Sequence, residues 1–139
     1  WALVDSWTHS GDIANIDFID LSTYTDIRVV MRNVTASGAG IRQVLVSTDN
    51  GGTFLTASGD YVGILGSGVE SNQSDLVFAN SATTAAQSGE IYIEGFNMAN
   101  IKVARSNFFG ADGINLRFIP TTTPLNAIRV GPGSGNLTG

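Results

Sequence analysis

The chain has 139 residues and a net charge of −5; it contains no cysteine, and only 14% of its residues are charged. A single domain of this length buries a core without disulfides or metals. The composition excludes thiol catalysis and thiolate metal sites, gives no basic cluster for nucleic acid, and leaves no run of about 18 apolar residues for a membrane-spanning helix.

Period-two alternation of apolar and polar residues predicts β-strands along most of the chain. The first, "IANIDFIDL" at 13–21, places Ile16 and Phe18 on one face and Asp17 on the other. Further strands are predicted at 26–34, 41–47, 60–65, 75–79, 89–96, 100–106, 113–120 and 126–132. Turn clusters rich in Gly, Ser and Asn separate several of them, at 35–40, 66–74 and 108–113.

About nine or ten short strands at this spacing are typical of an antiparallel sandwich or barrel. Because each strand has one apolar face, two sheets must cover each other. The predicted fold is therefore all-β: an antiparallel β-sandwich of jelly-roll type with no substantial helix. The best helical candidate, 81–90, has only alanines as apolar residues and is predicted to form one helical turn or a loop.

Residues 1–10 are predicted to form an N-terminal arm, and residues 11–139 a single sandwich domain. The arm carries Trp1, Leu3 and Trp7. Large apolar residues on an arm that need not belong to the core are typical of docking on a neighbouring subunit. These three residues are therefore candidate interface residues.

The stretch "VSTDNGGTFLT", 46–56, has the residue types of a tight turn between two β-rich arms and predicts a hairpin. Asn50 and Gly51 tolerate the positive φ angles that such turns require. Asp49 can accept hydrogen bonds from backbone N–H groups inside the turn. Phe54 can fold back onto the arms and shield those bonds.

The same stretch resembles the Asp-box, S-x-D-x-G-x-x-[W/F], at its four defined positions, which are Ser47, Asp49, Gly51 and Phe54; Thr53 precedes the aromatic residue in the same structural turn. Asp-boxes recur in sialidases and other BNR-repeat propellers, where they are structural hairpins remote from the catalytic pocket. The resemblance implies a structural turn and no sialidase activity. A contribution of Asp49 to a Ca²⁺ site or to an interface is the alternative.

No residue is predicted to be catalytic, and no cofactor or metal site is predicted. His9 is the only histidine, and no G-x-S-x-G sequence accompanies it. The twelve Asp and Glu residues are interpreted as turn caps and solvated strand faces. A Ca²⁺ site built from loop oxygens, at Asp49–Asn50 or Asp112–Gly113, stays open as an alternative, without the spacing of a calcium loop to favour it.

Aromatic side chains on one sheet face would indicate a second class of function, glycan binding by stacking on sugar rings. The candidate residues are Trp1, Trp7, Tyr24, Tyr61 and Tyr92. In this hypothesis the chain is a carbohydrate-binding module of a secreted enzyme or of a receptor-binding fibre.

Four segments define the layout of the whole chain: "WALVDSW" (1–7), "STDNGGTF" (47–54), "GDY" (59–61) and "LNAIRVGPGSGNLTG" (125–139). With these segments the chain resembles a β-rich domain of tailed-bacteriophage virion proteins. The resemblance implies a non-catalytic capsid-decorating protein, head fibre or tail-fibre domain in the virion. Such domains are usually homo-oligomers, often trimers, that contact other capsid or tail proteins, and a last short strand usually follows this ending.

Overall fold

A computed structural model describes residues 2–8, 11–38, 42–65, 68–79, 85–108, 114–133 and 135–138. These residues form eleven strands: β1 Ile16–Phe18, β2 Ile27–Ala36, β3 Arg42–Ser47, β4 Tyr61–Leu65, β5 Gly68–Gln73, β6 Leu76–Ala79, β7 Gln87–Glu94, β8 Lys102–Phe108, β9 Ile114–Ile119, β10 Ala127–Pro132 and β11 Leu137–Thr138. Among them there is no helix that could cross a membrane. The prediction of an all-β fold is confirmed.

Two antiparallel sheets make up the sandwich. The smaller sheet has the strand order β1-β10-β3-β6, and the larger has the order β11-β2-β7-β8-β9-β4-β5. Each strand pairs antiparallel with its neighbours, as the alternating pattern predicts. The jelly-roll order of the connections stays a prediction.

Two of the strands, β5 and β11, are missing from the sequence-based prediction. Strand β5 lies in 66–74, where Gly and Ser predict a turn, yet it pairs with β4 at the edge of the larger sheet. Val69 is the one large apolar residue of this strand, so the sequence shows no alternation there. Strand β11 has only two residues, and Leu137 is buried there against β2. A strand this short gives no period in the sequence.

The core lies between the inner faces of the two sheets. On β7 the inward Ile91 and Ile93 are buried, whereas the outward Glu90, Tyr92 and Glu94 are half-exposed. Side chains from both sheets and their connections complete one cluster, whose largest members include Tyr61, Leu76, Phe96, Ile119, Leu125 and Ile128. This one cluster of described residues joins the two sheets.

Two cationic side chains are buried on the inner face of the larger sheet. Arg117 of β9 is 7% exposed, and its Nη1 donates to Gln73 Oε1 (2.9 Å) and to the Asp75 carbonyl (3.1 Å). Lys102 of β8 is fully buried, and its Nζ donates to two carbonyls of the segment 120–126. Burial lowers the pKa of Lys102. Each cation donates hydrogen bonds to a segment that connects two strands, and so holds that segment against the larger sheet.

Candidate functional site

Four connections meet at one end of the sandwich, which we call the loop end: 19–26, 48–60, 95–101 and 120–126. Backbone hydrogen bonds join them directly. The Leu21 N–H donates to the Asn126 carbonyl (2.9 Å), the Asn126 N–H to the Ser47 carbonyl (2.9 Å), and the Phe96 N–H to the Thr25 carbonyl. The loop end is therefore one hydrogen-bonded unit, in which the Asp-box turn is held by its neighbours.

The Asp-box turn is closed by Ser47 and Asp49. Ser47 is fully buried, and its Oγ accepts from the N–H groups of Asp49 (3.2 Å) and Gly51 (3.0 Å) while donating to Asp49 Oδ1 (2.7 Å). Thr53 donates its N–H to Asp49 Oδ1 (2.8 Å) and its hydroxyl to Oδ2 (2.7 Å). Both carboxylate oxygens therefore serve the turn, which leaves Asp49 poorly placed as a calcium ligand.

The hydrogen bonds to Asp49 favour its charged form. The Thr53 N–H, the Thr53 hydroxyl and the Ser47 hydroxyl, in that order, lower the pKa of Asp49 from 3.8 to about 2. An ionised carboxylate is the better acceptor for all three donors. The turn is thus strongest above the pH range in which Asp49 titrates.

Asn50 and Gly51 adopt the left-handed conformation that the sequence predicts, with φ angles of 59° and 88°. A Cβ at Gly51 would also lie 3.2 Å from Ile19 Cγ2, a tight contact that Ile19 would have to relieve by moving. Ile19 belongs to the connection from β1 to β2. Gly51 therefore allows both the turn itself and the close approach of a second connection.

The Asp-box turn is a corner between sheets, and the prediction that it joins two paired arms is wrong. Strand β3, before the turn, belongs to the smaller sheet, whereas β4, after it, belongs to the larger sheet. A backbone bond from Leu55 N–H to the Val46 carbonyl (2.9 Å) closes the base of the turn. Strand propensity on both sides of a tight turn does not distinguish a hairpin from such a corner.

Phe54 leaves the turn towards β10. The guanidinium carbon of Arg129 lies 4.2 Å from the centre of the Phe54 ring, and Arg129 makes a bidentate pair with Asp17 of β1 (2.7 Å for both bonds). Phe54 also lies beside Gly51. The aromatic ring thus anchors the turn on the outer face of the smaller sheet through a cation–π contact.

Two polar residues that sequence reasoning missed, Asn126 and Asp20, complete the loop end. Asn126 Oδ1 accepts from the Asn50 N–H (2.7 Å), and Asn126 Nδ2 donates to the Thr48 carbonyl (3.1 Å). Asp20, with a φ of 59°, bonds reciprocally to the Asn50 side chain. These contacts join residues 30 to 78 positions apart, and no local motif signals them.

Tyr61 is a further anchor of the turn, and its prediction as an exposed stacking residue is wrong. Its side chain is fully buried, its hydroxyl accepts from the Val46 N–H (3.1 Å), and it donates to the Leu55 carbonyl (3.1 Å). Burial raises the pKa of Tyr61. The Tyr61 hydroxyl therefore links the Val46 and Leu55 backbones at the base of the turn, from the side that faces the core.

The outer face of the larger sheet carries two of the chain's aromatic side chains. Tyr92 of β7 lies opposite Arg105 of β8, which lies opposite Leu116 of β9. Phe118 lies one pair further, opposite Val103, and both aromatic residues are half-buried. About 10 Å separates β7 from β9. Tyr24, by contrast, packs against the core.

The described part of the arm, residues 2–8, contains no strand or helix. Leu3 is 84% exposed and Val4 is 44% exposed, whereas Trp7 is half-buried. Trp1 and His9 lie outside the described residues. The arm ends before Ile13, which exchanges two backbone hydrogen bonds with Leu137 (2.8 and 3.2 Å). The exposed apolar residues thus precede the first contact that closes the sandwich.

Loop-end carboxylates accept hydrogen bonds from nearby groups. Asp26 Oδ1 accepts from the Gly95 N–H (3.0 Å), and Asp60 Oδ2 accepts from the Ala57 N–H (2.7 Å). Within the described ranges, no three His, Asp or Glu residues come together in a way that could hold a metal ion.

Comparisons of the chain with protein-family models, with curated proteins and with solved structures found no match.

Asp49→Ala is expected to lower the Tm at neutral pH, because Ser47 and Thr53 lose their shared acceptor. The folded-state pKa lies below the ordinary value, so the unfolded chain binds the proton first as the pH falls. The stabilisation by Asp49 is therefore complete above about pH 4 and is lost as the pH falls to about 2. Far-UV circular dichroism melts across this range test whether the Tm gap between wild type and variant narrows.

Asp60→Ala is the matched control, since it removes a loop aspartate that caps a single N–H. Its effect on Tm at neutral pH should be smaller than that of Asp49→Ala. A Tm gap for Asp49→Ala that stayed constant from about pH 4 to about pH 2 would contradict the assigned role of the carboxylate.

Proposed function

We propose that this chain is a non-catalytic structural domain of a viral particle, a capsid-decorating protein, head fibre or tail-fibre domain that acts through protein–protein contacts. The observation that carries the proposal is the arm, where Leu3 and Val4 expose apolar surface ahead of a closed sandwich. Exposed apolar residues grouped on a segment outside the core favour a binding role. The partner is a sister subunit, in a homo-oligomer of the trimeric type, or another capsid or tail protein.

The polar groups of the loop end also favour a structural role. The described side chains of Ser47, Asp49, Asn50 and Asn126 bond to one another, to Asp20 or to backbone groups. Polar residues used in this way hold loops rigid and are not free to act on a substrate. A rigid, low-charge sandwich suits a durable particle.

Deletion of residues 1–10 is expected to abolish oligomer formation or particle binding while the sandwich stays folded. The deletion ends before the Ile13–Leu137 contact, so β11 keeps its place. Light scattering should show the mass fall from that of the oligomer to that of a single chain, and far-UV circular dichroism should stay unchanged. An unchanged oligomer would contradict the role of the arm, and a monomeric wild type that binds no particle would contradict the proposed function.

Leu3→Asp tests the same contact with one residue, and Ile101→Asp is its matched control. Ile101 is 53% exposed at the loop end, far along the chain from the arm. Leu3→Asp should weaken assembly, because a charge would be buried in an apolar contact. Loss of assembly in Ile101→Asp alone would place the interface at the loop end instead.

The second candidate function, glycan binding, is favoured by one observation: Tyr92 and Phe118 share the outer face of the larger sheet. Two aromatic residues on β7 and β9, the strands on either side of β8, offer a surface on which sugar rings could stack. Binding of the wild-type chain on a glycan array, lost in Tyr92→Ala and kept in Tyr24→Ala, would favour a carbohydrate-binding module over the structural role.

A further inference from the structure

Asn50–Gly51 is the single Asn–Gly dipeptide of the chain. In this dipeptide the glycine nitrogen can attack the asparagine side-chain carbon, because glycine has no Cβ to hinder the approach. The attack forms a C–N bond, closes a succinimide ring and expels ammonia. Water then opens the ring to aspartate or isoaspartate, so the reaction consumes one water, releases one ammonia and involves no change of oxidation state.

Both reacting groups are held by hydrogen bonds in the folded chain. The Gly51 N–H donates to Ser47 Oγ (3.0 Å). Asn50 Nδ2 donates to Asp20 Oδ1 (2.7 Å), and Asn50 Oδ1 accepts from the Asp20 N–H (2.7 Å). Ring closure requires Gly51 to lose its proton and the carboxamide to turn towards Gly51. The first step breaks the bond from Gly51 to Ser47, and the second breaks the bonds between Asn50 and Asp20.

The backbone around Asn50 is held as well. Its N–H donates to Asn126 Oδ1 (2.7 Å), and its φ of 59° belongs to the hydrogen-bonded turn. The carboxamide therefore cannot reach Gly51 by a small rotation of the backbone without releasing Asn126. Two neighbouring connections and the last residue of β3 thus hold one dipeptide.

We propose that Asn50 is a deamidation site that the fold keeps unreactive, and that its two hydrogen bonds with Asp20 hold the carboxamide in place. Loss of this protection would allow a change that releases ammonia and is therefore irreversible. Deamidation replaces the Nδ2 donor by a carboxylate that faces the Asp20 carboxylate, so an attractive contact becomes a like-charge contact. The segment 19–26 then loses the bond from Asn50 Nδ2 to Asp20 Oδ1, while the backbone bond from Leu21 to Asn126 remains. This inference is independent of the assembly proposed above.

The test is the rate of deamidation at Asn50, measured by peptide mass spectrometry after incubation in mildly alkaline buffer. Asp20→Gly removes the acceptor of Asn50 Nδ2 and suits the φ of 59° at this position. Asp60→Gly is the matched control, because Asp60 caps a different N–H of the loop end. Asp20→Gly should deamidate about tenfold faster than wild type, the factor expected for loss of one hydrogen bond to a charged group.

The folded wild type is also compared with the same chain in urea. Rates that are equal with and without urea would show that the fold gives no protection, and this result overturns the proposal even if Asp20→Gly fails to fold. An Asp20→Gly rate equal to that of folded wild type would overturn the role of Asp20. Faster deamidation in Asp60→Gly to the same extent would also overturn it, because general loosening would then account for the effect.

The like-charge contact that deamidation would create is tested with Asn50→Asp, which mimics the aspartate product. Asn50→Gly is its control, because it loses the same side-chain bonds without adding charge and tolerates the left-handed backbone. The Tm of Asn50→Asp should fall below that of Asn50→Gly. Equal Tm values would overturn the like-charge contact with Asp20.

Discussion

Arg117→Met is expected to lower the free energy of unfolding by about 3–5 kcal/mol, the range for removing one partner of a buried ion pair. Arg117 is 7% exposed, and its Nη1 bonds to the Gln73 side chain and the Asp75 backbone. The Asp75 carboxylate lies 3.9 Å away and is itself poorly exposed. Methionine fills much of the volume but leaves these acceptors without a donor, so the loss is electrostatic.

The loss should depend on pH. Burial raises the pKa of Asp75, and Arg117 opposes this rise. In the variant the folded state therefore holds its proton to a higher pH than the unfolded chain does, and stability falls as the pH rises through this range. The difference from wild type should become smaller as the pH falls below the ordinary aspartate pKa of about 4, because Asp75 then becomes protonated in the unfolded chain as well.

Urea unfolding followed by far-UV circular dichroism measures the effect. Tryptophan fluorescence is a poor probe here, because the only tryptophans, Trp1 and Trp7, lie on the arm. Arg105→Met is the matched control: Arg105 lies on the outer face of the same sheet, 58% exposed, and pairs with Glu94 at 3.3 Å. Its replacement should cost less than about 1 kcal/mol. Similar losses in both variants would contradict the role assigned to the buried Arg117.

Tyr61→Phe is expected to lower the free energy of unfolding by about 1–3 kcal/mol. The ring stays in the core, but the Val46 N–H loses its acceptor and the Leu55 carbonyl loses a donor. Both groups lie at the base of the Asp-box turn. Water does not readily replace the Tyr61 hydroxyl at this buried site, so the two groups stay unpaired in the variant.

Tyr24→Phe serves as the control, since Tyr24 packs against the same core from a half-buried position. We expect a change below about 1 kcal/mol there, as for a partly solvated hydroxyl. Equal effects of the two substitutions, measured as shifts of the urea midpoint, would mean that the bonds to Val46 and Leu55 do not stabilise the turn.

Local patterns were sufficient to predict the interior of the Asp-box turn. Asp49, Gly51 and Thr53 lie within eight residues of one another, and their contacts follow from the preferences of each residue for turn geometry. The contacts of Asp20 and Asn126 with the turn could not be predicted from local patterns. Asp20 and Asn126 approach Asn50 because β1, β10 and β3 are neighbours in one sheet, and the order of strands in a sheet is not a local property.

The sequence does not signal the burial of side chains that combine an apolar stem or ring with a polar tip. Tyr61, Lys102 and Arg117 all lie on inner faces, where their polar ends find carbonyls or amides of connecting segments. A sequence shows that such a side chain has an apolar part, but whether its polar end finds a partner depends on which loop passes nearby.

The amino-acid sequence by itself determined the all-β class, most of the strands and the turn chemistry of residues 47–54, because each of these depends on period-two patterning or on neighbours a few residues away. The tertiary structure alone decided that the Asp-box turn is a corner between two sheets, that Asp20 and Asn126 lock it, and that Arg117 is buried. These features depend on strand order and on contacts across the sandwich, and their energies appear only when distant segments are brought together.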